Sequence, residues 1–152
     1  MTTPTPESEA RPPRPPSPPL WVDRVGTKTY VGTNDRGAEV RVGPHTDDGV
    51  FSPGELLKIA LAACSGMSAE RGIDRRLGAD TPIKVAVRSV AGTGENRYAR
   101  LLTELVVPLG ELSERDRDLL VTVATRAIDV GCTVGRTIEA SAEIELTVTD
   151  GA

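Results

Sequence analysis

The sequence predicts an α+β fold, with two main helices gathered on one face of a mainly antiparallel sheet. Apolar residues alternate at period two in several short stretches bounded by Gly, Asn and Pro, as half-buried strands require. Two longer stretches repeat at helical spacing behind recognisable caps. Their order is strand, strand, helix, strand, strand, helix, strand, without internal repeats, and this grouping suits an antiparallel sheet carrying helices better than strict strand and helix alternation.

Residues 1–19 read as a proline-rich, disordered leader, because the first 20 residues hold eight of the twelve prolines and almost no side chain able to join a core. The run Arg11-Pro12-Pro13-Arg14-Pro15-Pro16 reads as a spacer or solubilising arm, with an SH3-type ligand as the alternative. A single folded domain is expected over 20–152. From Trp21 to Val42 the alternation is interrupted by turn signals at Gly26, Gly32 and Asn34-Asp35-Arg36-Gly37, which predicts two antiparallel strands, 21–33 and 37–43. The loop that follows contains Pro44, the lone His45 and Asp47-Asp48, all read as solvated.

The helix over 52–67 is the best signposted element. Ser52 suits the cap, Pro53 the first helical position, and Glu55 the third, where its carboxylate can reach back to the cap. From Leu56 to Ala63 only Lys58 is charged, so the helix is expected to be enclosed by protein. It continues over 68–76 with a break near Gly72, and Gly78 to Pro82 stops it. Strands follow over 83–91 and 98–109 as a hairpin. Ser113-Glu114-Arg115-Asp116 caps a second helix reaching Val130, with Leu119, Leu120, Val123, Ala124, Ala127 and Ile128 at helical spacing. Cys132 lies just beyond its end, and 140–150 is the last strand.

Composition narrows the function classes. With 152 residues and 3% aromatics, the core must be built from Ala, Val, Leu and Ile, and no base-stacking platform is available. A formal net charge of -4 without a long Lys/Arg run argues against nucleic acid. No signal segment and no run of about 18 apolar residues is present, so a cytoplasmic chain with no membrane span and reduced thiols is expected. One His and two Cys are too few for a structural zinc site, and no metal is expected.

The two cysteines admit two readings. Cys64, in an apolar helix, is either an inert core residue or a nucleophile, and Cys132, beside Gly131 and near Arg136, is a possible partner for it. A thiolate at Cys64 needs a cation, for which Arg24, Lys28, Arg36 and Arg136 are candidates.

Ser52-Pro53-Gly54-Glu55-Leu56-Leu57 leading to Ala62-Ala63-Cys64-Ser65-Gly66-Met67, then Cys132-Thr133-Val134-Gly135-Arg136-Thr137, resembles the OsmC/Ohr family of osmotically inducible and organic hydroperoxide resistance proteins, over roughly residues 20–150. The resemblance implies an intertwined homodimer, with the cysteine helices sandwiched between antiparallel sheets. It implies a thiol peroxidase acting on organic hydroperoxides, with Cys64 in the peroxidatic position and Cys132 in the resolving one. Re-reduction by a dithiol is implied too, such as a lipoylated protein, with no cofactor. The family pattern has Glu directly after the motif's Pro, paired to an Arg of the first strands. Here Gly54 holds that position, so Glu55 and Arg24 stand as substitutes. Glu55 is nine positions before Cys64, half a turn round an ideal helix, so it serves only through a distorted helix start or from a partner chain. The alternative function is a non-catalytic or weakly active member that binds an apolar small molecule or senses oxidants.

Overall fold

The capping signals at Ser52 become real bonds. In the computed structural model, which describes residues 17–140, α1 runs Pro53–Leu77. The Ser52 hydroxyl accepts from the Glu55 N–H at 3.3 Å, and the Glu55 carboxylate accepts from the Ser52 N–H at 2.7 Å. Two orphan donors of the first turn are thereby satisfied. The helix ends at Gly78, whose φ of 99° suits glycine alone and whose N–H donates to the Asp74 carbonyl at 2.9 Å. Arg75 and Arg76 lie in the last turn, where positive charge complements the helix dipole.

The expected break at Gly72 is absent and α1 is continuous. A Cβ at position 72 would stand 3.0 Å from Val123 Cγ1, so the glycine serves close helix packing rather than a kink. That neighbour belongs to α2, Glu114–Gly131, capped by the Ser113 hydroxyl accepting from the Asp116 N–H at 3.2 Å. Ala69 and Ile73 of α1 meet Leu120 and Ala124 of α2 to form the buried core, and Ile83, Leu105, Val107, Leu109 and Ile128 pack around it. Removing such a side chain from water is worth about 1.5–3 kcal/mol for a full Leu or Ile.

The chain divides into two units, Met1–Phe51 and Ser52–Ala152. In the first, β1 (Trp21–Gly26), β2 (Thr29–Thr33) and β3 (Glu39–Val42) form an antiparallel meander. The single strand expected over 21–33 is thus two strands. Lys28, at φ 54°, lies in the turn that reverses the chain, Trp21 pairs with Thr33, and the register shifts between Arg24 and Gly26. Between β2 and β3, Asn34 Oδ1 accepts from the N–H groups of Arg36 and Ala38, both at 3.0 Å, and Gly37 takes a positive φ.

In the second unit, β4 (Lys84–Ala91) and β5 (Tyr98–Val106) form an antiparallel hairpin. The described strands therefore make two separate sheets, not one. β5 stops at Val106 rather than 109, just before Pro108, which has no N–H for the ladder. A third helix, α3 (Thr133–Ala140), follows α2 over residues to which the sequence reading assigns no element. Its β-branched Thr133, Val134, Thr137 and Ile138 and its Gly135 are poor helix formers, and packing on α1 outweighs that weak local preference. The expected strand over 140–150 lies outside the described residues except for Ala140, which ends α3. Of the expected leader, 1–16 lie outside them too, and residues 17–20 are irregular and exposed.

Among the described residues, the second unit leaves part of α1 uncovered. Leu61, Ser65, Ala69 and Ile73 are buried, whereas Leu57, Ile59 and Met67 are exposed. Among the described residues, no helix is long and apolar enough to cross a membrane.

Candidate active site

Cys64 and Cys132 come from different elements of the second unit, and both are free thiols. Cys64 sits in the middle of α1, half-buried, and its carbonyl accepts from the Ser68 hydroxyl at 2.7 Å. Cys132 is 2% exposed at the junction of α2 and α3. Its N–H donates to the Ile128 carbonyl at 2.8 Å, closing α2, and its carbonyl accepts from the Arg136 N–H at 3.0 Å, opening α3. One residue thus serves as the end of one helix and the cap of the next.

The cysteine sulfur takes the capping role that a Ser or Asp oxygen usually plays. The Gly135 N–H donates to Cys132 Sγ at 3.3 Å, and Ser65 Oγ lies 3.6 Å from the same sulfur. Burial pushes the Cys132 thiol up. Hydrogen bonds from the Gly135 N–H, the Ser65 hydroxyl, the Cys64 thiol and the Val134 N–H outweigh that effect and hold it below its ordinary value. The two cysteines are therefore neighbours in the fold, as a redox pair requires.

A cleft of about 820 Å³ opens beside this junction. Leu61, Leu105, Leu120, Ala124 and Ile128 form its apolar part, Ser65 and Cys132 line it, and Arg97, Arg100, Asp129, Arg136 and Glu139 supply its charged groups. Of the four cations weighed for thiolate stabilisation, Arg136 lines this cleft, with Nη1 donating to the Val130 carbonyl at 3.5 Å.

The two substitutes for the activating pair are engaged locally. Glu55 bonds Ser52 through both the N–H and the hydroxyl, the latter at 2.8 Å, and α1 starts without distortion. Its carboxylate is therefore not carried round to Cys64 within the same chain. Arg24 lies on β1 of the first unit, where its Nε donates to the Gly26 carbonyl at 3.1 Å. At Gly54 the space for a side chain is taken. A Cβ there would overlap the Tyr98 hydroxyl and stand 3.2 Å from its Cζ. Lys58, one turn on, holds its Nζ 5.9 Å from the centre of the Tyr98 ring, a cation–π contact.

Ser65 and Gly135 are the site residues that reading the sequence missed. Gly135 lies three residues after Cys132, the spacing at which an N-cap meets its partner, but cysteine is not a usual cap and gave no warning. Ser65 carries no local signal, because its partner Cys132 lies 67 positions further along the chain.

No protein-family model matches the chain. Uncharacterized protein Rv2923c of Mycobacterium tuberculosis is 45% identical over 131 residues, covering 86% of this chain and 96% of that protein. Uncharacterized protein Mb2948c of Mycobacterium bovis matches to the same extent. Among solved structures, an OsmC like protein from Mycoplasma pneumoniae superposes with a TM-score of 0.60 at 15% identity, covering 81% of this chain and 87% of that one. The organic hydroperoxide resistance protein OhrB of Bacillus subtilis superposes with a TM-score of 0.52 at 19% identity, covering 78% and 90%.

Proposed function

We propose a function for a chain that belongs to one family with the mycobacterial proteins and has the fold of the OsmC/Ohr proteins: a thiol peroxidase that reduces organic hydroperoxides to alcohols. The observation that carries this reading is the meeting of two free cysteines, Cys64 and Cys132, the second of which lines a largely apolar cleft. In the proposed cycle the Cys64 thiolate attacks the terminal oxygen of the hydroperoxide. The O–O bond breaks, the alcohol leaves, and Cys64 becomes a sulfenic acid. Cys132 then condenses with it, water leaves, and a disulfide remains. A dithiol, such as a protein-bound dihydrolipoyl group, restores both thiols. The apolar lining supports an organic hydroperoxide over hydrogen peroxide. The exposed apolar residues Leu57, Ile59 and Met67 support a homodimer, and two free thiols suit the reducing cytoplasm.

Mixing the reduced protein with cumene hydroperoxide is the direct test. A Cys64 to Cys132 disulfide should form rapidly, and a dithiol should then sustain turnover. Thiol loss no faster than in a Cys64→Ser control would sink the proposal.

One observation favours a second reading. The Tyr98 hydroxyl stands where the resemblance places an activating Glu side chain, on Gly54. In that reading the protein binds an apolar molecule or senses oxidants without turnover, so Cys64 oxidises once and stays oxidised. Repeated consumption of hydroperoxide in the presence of dithiol excludes it.

A further inference from the structure

Helix α3 is a weak element whose start is held by a cysteine. It spans only Thr133–Ala140, and no acidic side chain stands in its first turn to complement the helix dipole. A helix shorter than about 12 residues is marginal in water even when built from good helix formers, which α3 is not. The N–H groups of its first turn have no partner within the helix. Gly135, at the third position, finds one in Cys132 Sγ at 3.3 Å, and the Cys132 carbonyl accepts from the Arg136 N–H at 3.0 Å. A Cβ at Gly135 would stand 3.2 Å from that sulfur and 3.5 Å from Leu61 Cδ1, so the first turn is fitted closely to Cys132 and to α1.

The sulfur that caps α3 is also the one that joins Cys64 in the disulfide. Disulfide sulfurs lie about 2.05 Å apart, well inside the separation that two free thiols keep, so closing the bond moves at least one of them. Cys64 lies within the unbroken hydrogen-bond ladder of α1, whereas Cys132 sits between two helices with an extended backbone, φ -75° and ψ 92°. Cys132 is therefore the residue that gives way.

We infer that Cys132 Sγ is a redox-dependent cap: with both thiols free it holds the first turn of α3, and in the disulfide it is drawn toward Cys64, releases the Gly135 N–H and lets that turn fray. Gly135, Arg136, Ile138 and Glu139 of α3 line the cleft. The wall they form is thus firm in the reduced chain and loosened in the oxidised one. The change follows the joining of Cys64 and Cys132, whichever oxidant joins them, and to that extent rests on the peroxidase reading. As the S–S bond forms, each thiol gives up its proton and the pair gives up two electrons. A hydroperoxide takes these up as its O–O bond breaks to alcohol and water, and the azo compound diamide takes them up as its N=N bond is reduced to the hydrazine.

Hydrogen exchange read by mass spectrometry tests the coupling, comparing the reduced protein with protein oxidised by diamide and the bridge located by peptide mapping. The amides of residues 135–137 should exchange about fivefold faster in the bridged protein, the scale of one lost helix cap. Those around Ile73 and Leu120 in the core should not speed up. Equal or slower exchange over 135–137 in the bridged protein overturns the inference, and so does the absence of a Cys64 to Cys132 bridge after diamide. Two variants separate the cap from other effects of the cross-link. Without any oxidant, Cys132→Ala should speed exchange over the same residues, whereas Cys132→Ser, whose hydroxyl caps in place of the sulfur, should not. A folded Cys132→Ala protein that exchanges there like the parent overturns the capping role. Cumene hydroperoxide that leaves both thiols free, where diamide bridges them, would sink the peroxidase reading alone.

Discussion

One face of α1 carries Leu61, Ser65, Ala69 and Ile73, all buried by the chain's own elements, while Leu57, Ile59 and Met67 elsewhere on the same helix stay exposed, Met67 to 75%. The second set is as apolar as the first. Hydrophobicity along the helix therefore does not tell which face its own chain covers. The difference lies in what packs there: α2 brings Leu120 and Ala124 onto the covered face, and its C-cap brings Cys132 to Ser65. The covered face also holds Ser65 against Cys132 Sγ at 3.6 Å, and a hydrogen bond between buried groups is stronger than one in water. Cys64 stands half-buried beside Cys132.

This contrast can be broken by substitution, and the covered face should give the largest effect. Ile73→Ala removes a fully buried side chain from the centre of the core and should cost about 2–5 kcal/mol in urea unfolding. A loss below about 1 kcal/mol would show that the face is less well packed than its burial implies.

A smaller, pH-dependent effect is expected at Cys132. Its thiol is held below the ordinary value in the folded chain, so ionisation favours folding. That contribution is complete above the pKa of the unfolded thiol and fades as the pH falls through the folded value. The stability gap between the parent and Cys132→Ser should therefore widen from neutral toward alkaline pH. A gap that narrows would contradict a stabilised thiolate.

Next comes the cap, at the edge of both faces. Ser52→Ala leaves the Glu55 N–H without its side-chain acceptor and should cost about 1 kcal/mol. Fraying confined to the first turn, seen by hydrogen exchange, is the accompanying sign.

The uncovered face should give the smallest effect on the unfolding of the chain itself. Met67→Ser should change it by no more than about 0.5 kcal/mol while weakening self-association in sedimentation at micromolar concentration. A parent protein that is monomeric there would remove the homodimer from the proposal.

Much of the fold was legible because its signals are local. The box at Ser52 and Glu55, the cap at Ser113 and the alternation of β4 and β5 each depend on residues a few positions apart. Errors arose where distant packing overrode the local signal. Gly72 reads as a break but lies against Val123, and the poor helix formers of α3 are held by packing on α1. At the site, Cys64 and Cys132 were visible as residue types in recognisable motifs. Their neighbours were not, since Ser65 acquires a role only from a sulfur far along the chain.

What the sequence determined by itself is the set of elements with strong caps and periods, the α+β class, and the two cysteines in their motifs. Tertiary structure alone decided which face of α1 is covered and which sulfur receives hydrogen bonds. It also decided that the Tyr98 hydroxyl fills the space beside Gly54. The physical reason is range. Caps and periodicity act over a turn or a strand, whereas burial and the ionisation of a sulfur are set by whichever distant groups the packed chain brings against it.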